Sequence, residues 1–162
     1  MVALRTPNDL PPPETDSLPA RKIKAHGNDK LFYWASILNA FSIATSKDWP
    51  GARCCIDLFT SYGINEDEHH ERSWGSALLS LLVPPFLFDT YVFADLSPKA
   101  TAVLAERVNA LKIPGLEIFP ISLKDHDAAL RQARQMKAAP TRGPKVAILT
   151  GDFLFSRASS LL

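Results

Sequence analysis

The stretch Arg53-Cys54-Cys55-Ile56-Asp57-Leu58-Phe59-Thr60-Ser61-Tyr62-Gly63 decides the fold that we predict for this chain. A run of small apolar residues ends at Asp57, and a turn that contains one glycine follows it. This pattern is typical of a buried parallel strand that delivers a loop to a ligand. Open α/β sheets bind small molecules at the carboxyl ends of their strands, so we expect a ligand site at this turn.

The composition indicates one globular domain and excludes several other classes. The chain has 162 residues and a net charge of +1, which gives no electrostatic case for a nucleic-acid partner. It contains no apolar run of the roughly 18 residues that a membrane span needs, and its start does not look like a signal peptide. Cys54 and Cys55 are neighbours that a strand would point to opposite faces, so we expect reduced core thiols in a cytoplasmic protein.

Strands and helices alternate along the chain after a proline-rich start. Residues 1–24 are predicted to be a flexible leader, residues 25–155 the folded domain, and residues 156–162 a tail. A helix is expected from Asp29, and a polar loop over 64–73. Four strands are predicted, at 53–59, 91–95, 116–123 and 145–150, with Ser97 and either Asp125 or Asp127 capping helices. We therefore predict an α/β fold with a Rossmann-like, doubly wound parallel sheet of about four strands.

A nucleotide-like cofactor on such a sheet needs three features. The first is a tight turn after strand one, which Asp57 and Gly63 can supply. The second is an acidic side chain at the end of strand two for the ribose hydroxyls, and Asp95 lies there. The third is an apolar slot with a polar contact after strand three, where Ser122 is the candidate. A simpler alternative is that Asp57 and Asp95 only cap the turns at the strand ends.

Four pieces of the sequence together resemble the three-Cys-motif partner proteins, which have the fold of class I S-adenosylmethionine (SAM) methyltransferases. The pieces are His26-Gly27-Asn28-Asp29-Lys30-Leu31, Ile56-Asp57-Leu58-Phe59 with Gly63, Gly75-Ser76-Ala77-Leu78, and Tyr91-Val92-Phe93-Ala94-Asp95-Leu96-Ser97-Pro98. The resemblance covers residues 26 to 100. It implies that SAM binds at the turn after strand one, with Asp95 on the ribose. The expected cofactor-binding residues are Asp57, Phe59, Thr60, Ser61, Gly63, Asp95, Leu96 and Ser122.

The resemblance also has implications for the sheet. In the class I fold strand four lies beside strand one and the sheet has about seven strands, so we expect a truncated sheet here. Strand four would then be an open apolar edge that a second copy or a partner protein must cover. The sequence departs from the family pattern at Ser61, where a glycine is usual, and at Thr150-Gly151-Asp152-Phe153, where Asp-Pro-aromatic-Gly is usual.

Two functional hypotheses remain open from the sequence. The first is a SAM-dependent methyltransferase-like protein whose substrate and catalytic base are unknown. The alternative is an inactive Rossmann remnant that serves as a binding or interaction module. Among other residues, His26 and Lys30 either contact the ligand or belong to a surface helix entry. The Glu66–Glu71 segment, with His69 and His70, is expected to be a solvated loop and not a metal site.

Overall fold

The computed structural model describes residues 5–24, 27–47, 52–139 and 143–151, except for the side chains of Asn28 and His126. The chain forms two compact units. Unit 1 consists of Met1–Arg53 and Tyr62–Phe88, and unit 2 consists of Cys54–Ser61 and Asp89–Leu162. Among the described residues, no helix is long and apolar enough to cross a bilayer.

Unit 2 contains a four-stranded parallel sheet. Its strands are β2 (Cys54–Asp57), β5 (Thr90–Asp95), β6 (Glu117–Ser122) and β7 (Lys145–Thr150), in the order β2-β5-β7-β6. All of these strand pairs are parallel, and helices lie between the later strands in sequence: α3 (Pro98–Ala110) and α4 (His126–Ala138). The predicted α/β class with a Rossmann-like parallel sheet is confirmed.

The two helices of unit 2 cover opposite faces of the sheet. Val92 and Ala94 pack with Ala129 and Ala133 of α4 in one buried cluster. The intervening residues of β5, Tyr91 and Phe93, are also fully buried and point the other way because side chains alternate along a strand. The α3 helix lies on their side, since the hydroxyl of Thr101 is 2.7 Å from that of Thr150, which pairs with Asp95. The sheet is therefore doubly wound.

The predicted strand order was wrong. Predicted strand four is β7, and it lies between β5 and β6 instead of beside strand one. Its apolar residues 146–149 are buried, so the expected open edge at strand four does not exist. The physical reason lies in β6, where Pro120 is exposed and lacks an N–H for a neighbouring strand. Proline suits an edge strand, whereas the apolar run 146–149 of β7 suits the centre of a parallel sheet.

The opening stretch is also less buried than expected. β2 is an edge strand of the described sheet, and its burial alternates because only one of its faces is covered. Cys55 is buried whereas Cys54 and Ile56 are exposed. The two thiols are free and point to opposite faces as predicted, but only Cys55 belongs to the core. Partial burial raises the pKa of the Cys54 thiol above its ordinary value.

Unit 1 contains a small sheet beside two helices. The sheet consists of β1 (Arg21–Lys22), β3 (Ile64–Glu66) and β4 (Arg72–Trp74), in the order β1-β3-β4. β3 and β4 are antiparallel, so the segment predicted as a polar loop contains a hairpin. The helices are α1 (Gly27–Ala44) and α2 (Ser76–Leu82), and α2 is almost entirely buried. Trp34 of α1 donates its indole N–H to the Ser76 carbonyl at 3.3 Å.

The proline-rich leader packs against this small sheet. Residues Pro7–Asp9 form a 3-10 helix, and β1 pairs in parallel with β3. The Trp74 indole N–H donates to the Pro11 carbonyl at 2.8 Å, and the Arg72 guanidinium contacts the Asp16 carboxylate at 2.8 Å. Residues 5–24 thus differ from the flexible leader that composition predicts. Trp74 and Arg72 lie more than 50 residues from Pro11 and Asp16 in sequence, where local patterns do not reveal them as partners.

Candidate functional site

The turn after β2 begins with a side chain that caps it. Asp57 ends the strand, and its Oδ1 accepts a hydrogen bond from the Phe59 amide at 3.1 Å. Thr60 is buried, and both its amide and its hydroxyl donate hydrogen bonds to the Ala94 carbonyl, each at 3.2 Å. The Phe59 side chain between them is 73% exposed. The turn is therefore fixed to β5 by Thr60 and presents an aromatic ring to solvent.

The carboxylate of Asp95 joins this turn to the turn that follows β5. Its Oδ2 accepts a hydrogen bond from the Ser61 amide and its Oδ1 one from the Ser97 amide, each at 2.9 Å. Ser97 in turn caps α3, because its hydroxyl accepts from the Ala100 amide at 3.2 Å. Leu96, between the two hydrogen-bonded residues, is 66% exposed. Asp95 is thus the residue that organises this end of the sheet.

Ser61 has a left-handed backbone, at the position where the resemblance leads us to expect a glycine. Its φ is 50°, a conformation that costs a residue with a Cβ on the order of 1 kcal/mol. Its amide also donates a hydrogen bond to the Asp95 carboxylate, and a hydrogen bond to a charged group contributes about 1.5–3 kcal/mol. The serine at this position is therefore compatible with a folded turn.

Ser122 lies apart from the other predicted site residues. Gly63, with a φ of 77°, follows two residues after Ser61, and its carbonyl accepts from the Gly75 amide at 2.7 Å. Ser122 ends β6 and is exposed, with β7 between it and β5. Since neighbouring strands are about 4.8 Å apart, Ser122 lies about 10 Å from the Asp95 strand. The structure therefore brings together Asp57, Phe59, Thr60, Ser61, Asp95 and Leu96.

The end of β7 contributes residues that the sequence did not predict. Thr150 pairs in register with Asp95, and its hydroxyl contacts the hydroxyl of Thr101 on α3. The amide of Gly151 donates to the Asp95 carbonyl at 3.2 Å, and its φ of 132° is unfavourable for other residues. The signal in the sequence was the Thr150-Gly151 pair, at which the apolar run of β7 ends. These residues were considered only as a departure from the family pattern, so no role at the site was predicted for them.

The acidic segment of unit 1 forms ion pairs. The Glu66 carboxylate contacts the Lys22 ammonium, the His70 imidazole at 2.9 Å and the Arg72 guanidinium at 3.6 Å. The hydrogen bonds from Lys22 and His70 hold the pKa of Glu66 at about 2. His69 is exposed, and the described residues contain no cluster of three or more potential metal ligands. Of the two other candidates, Lys30 is exposed on α1, and His26 lies outside the described residues.

Comparisons with protein-family models, with curated proteins and with solved structures gave no match to this chain.

Proposed function

We propose that this chain is a SAM-dependent methyltransferase-like protein that binds SAM where β2 and β5 end, with a methyl acceptor that is unknown. The observation that carries the proposal is the position of Asp95. A carboxylate at the end of the second strand of a Rossmann-like sheet is the group that commonly accepts ribose hydroxyls. Each carboxylate oxygen of Asp95 has two lone-pair sites and accepts one amide hydrogen bond here. Each oxygen can therefore accept a second hydrogen bond from a ligand hydroxyl.

The exposed side chains of the same turns support a nucleoside ligand. Phe59 and Leu96 each follow closely after a strand end and leave most of their apolar surface in solvent. Cofactor sites combine such apolar surface with a few polar groups that fix orientation. Under this proposal Asp95 fixes the ribose, and the two apolar side chains contact the adenine.

SAM itself supplies the activated methyl group, so the protein mainly positions the two reactants. We assign no catalytic base. The proposal implies a protein that works in the cytoplasm, where SAM and reduced thiols are available.

Calorimetric titration with SAM and with S-adenosylhomocysteine tests this function. The wild-type chain should bind both, and Asp95→Asn should weaken binding about tenfold or more because a charge-assisted hydrogen bond is lost. Glu106→Gln is the control, since it neutralises a carboxylate of the same unit that is exposed on α3. Lack of binding by the wild type at about 1 mM ligand, well above ordinary cofactor affinities, would contradict the proposal.

A second candidate is the inactive Rossmann remnant that acts as an interaction module. Two observations favour it. The carboxylates of Asp57 and Asp95 both hold turn amides, as the capping alternative expects. The strand order also differs from the order that the family resemblance implies. This candidate predicts that SAM does not stabilise the wild type, and that Ser61→Gly, which removes a side chain from the turn, restores some stabilisation.

A further inference from the structure

The α1 helix of unit 1 presents an apolar face that is largely exposed in the described structure, although one of its residues, Phe41, stacks on Phe88. Residues 31–44 of the helix contain no charged side chain, and both of its sides are rich in apolar residues. Ala35 and Leu38 lie on the buried side. A helix that is apolar all round is normally buried on all sides. We propose that this face pairs with the same face of a second copy of the chain.

The exposed face is large enough to contribute to a specific interface. We define the α1 face by the apolar side chains of this helix that are 39% to 70% exposed: Phe32, Tyr33, Ile37, Phe41 and Ile43. The three aromatic side chains alone expose on the order of 300 Å², given ~200 Å² for each whole side chain. This is a little more than a third of the ~800 Å² that each partner buries in a standard interface.

The centre of the α1 face permits close approach. Ser36, Ala40 and Ala44 are exposed and lie one helical turn apart, between the larger apolar side chains. Small residues at a contact shorten the distance between two helix axes toward the lower end of the 8–10 Å range. The large side chains on either side can then pack beside the partner helix.

The charges at the helix ends select an antiparallel pair of copies. Asp29 in the first turn of α1 and Lys47, three residues after the helix ends, are both exposed and carry opposite charges. An antiparallel arrangement places Asp29 of one copy opposite Lys47 of the other. It also places Tyr33 opposite Ile43 and Ser36 opposite Ala40, because the residue numbers of all three pairs are centred on the same position along the helix. A two-fold axis at that midpoint makes the face self-complementary, as a symmetric dimer requires.

The oligomeric state of the full chain in solution tests this inference. Sedimentation equilibrium should give twice the chain mass of 17.8 kDa at micromolar concentrations. Ala40→Glu should raise the dissociation constant about a hundredfold, because it buries an unpaired charge at the centre of the contact. Ala102→Glu is the control, since Ala102 is an exposed alanine at the middle of another helix, α3. A wild type that is monomeric up to about 1 mM, including one whose own residues 152–162 cover the face, would overturn the inference.

Charge reversal at the helix ends gives a second test that leaves the apolar face intact. Asp29→Lys and Lys47→Asp should each raise the dissociation constant several-fold, because like charges then meet across the pair. The double variant should restore the wild-type value. Failure of the double variant to restore it, while both single variants weaken the dimer, would overturn the antiparallel arrangement. A dimer that tolerates Ala40→Glu would exclude this face altogether.

Discussion

The Asp95 carboxylate accepts a hydrogen bond from the Ser61 amide at 2.9 Å, and this contact connects the turns after two neighbouring parallel strands. Ser61 has a left-handed backbone, with a φ of 50°. Asp95 also accepts a hydrogen bond from the Ser97 amide, so one side chain fixes both turns at the carboxyl end of these strands. Any ligand that binds here meets a preformed turn.

Replacing Asp95 should destabilise unit 2 and should also weaken the binding of any ligand at this site. Asp95→Asn leaves an acceptor oxygen for only one of the two amides and removes the charge. We expect the free energy of unfolding to fall by about 1–3 kcal/mol, the usual cost of a lost hydrogen bond to a charged group. Denaturant unfolding followed by circular dichroism measures it. The free energy of unfolding of Glu106→Gln should stay within about 0.5 kcal/mol of the wild type, as is usual for substitutions on an exposed surface. An equal loss in both variants would contradict the role of Asp95 in connecting the two turns.

Ser61→Gly should raise the free energy of unfolding by up to about 1 kcal/mol, because glycine adopts a positive φ without a steric penalty. The hydrogen bond from residue 61 to Asp95 uses the backbone amide, so the substitution preserves it. Ser36→Gly, in the exposed middle of α1, should have the opposite effect and cost up to about 1 kcal/mol. Thermal or denaturant unfolding of both variants checks this contrast. A Ser61→Gly variant that is less stable than the wild type would show that the serine side chain stabilises the turn.

Gly75 should not tolerate alanine. A Cβ at this position would lie 2.7 Å from the Gly63 carbonyl oxygen, which is backbone and accepts the Gly75 amide. We expect Gly75→Ala to cost about 1–3 kcal/mol, as overpacking typically does. At Gly27 the nearest atom to a new Cβ is the side-chain end of Ile23, at 3.1 Å, which can shift. Gly27→Ala should therefore be tolerated, and comparable losses in the two variants would contradict this reasoning.

The ion pairs of Glu66 should make the stability of unit 1 depend on pH in the acid range. Lys22 and His70 lower the folded pKa of Glu66 from 4.5 to about 2. A carboxyl group whose pKa is lowered by folding stabilises the folded state at pH values above its pKa in the unfolded chain. This contribution disappears as the pH falls from about 4.5 toward 2. Glu66→Gln should flatten this part of the profile. Thermal unfolding between pH 6 and pH 3, at low salt, compares the two proteins, and identical slopes would contradict the assignment.

Much of unit 2 was predictable because its signals are local. The alternation of apolar runs with helical periodicity gives the four strands, and Ser97 and Asp125 cap their helices as side-chain chemistry indicates. The strand order was predicted wrongly, because it depends on which strands tolerate an edge position. Pro120 in β6 indicates an edge strand, because proline cannot donate a hydrogen bond to a second neighbouring strand. The family resemblance led us to place strand four beside strand one instead.

Unit 1 was harder to predict because its contacts are distant in sequence. The β3–β4 hairpin consists of two strands of three residues, too short for a clear alternation. The leader is held by Trp74 and Arg72, which no local pattern connects to prolines near the amino end. At the candidate site, sequence position alone predicted Asp57 and Asp95, but only the structure shows that their carboxylates already hold the turns.

The central claim is that SAM binds at the two turns that Asp95 connects, and amide chemical shifts measure this most directly. In a titration of the isotope-labelled chain with SAM, the account predicts shifts of the Phe59, Ser61 and Ser97 amides that saturate together. The amides of β3 and β4 in unit 1 should remain unchanged. Absence of any shift at about 1 mM SAM, or shifts confined to unit 1, would contradict the account.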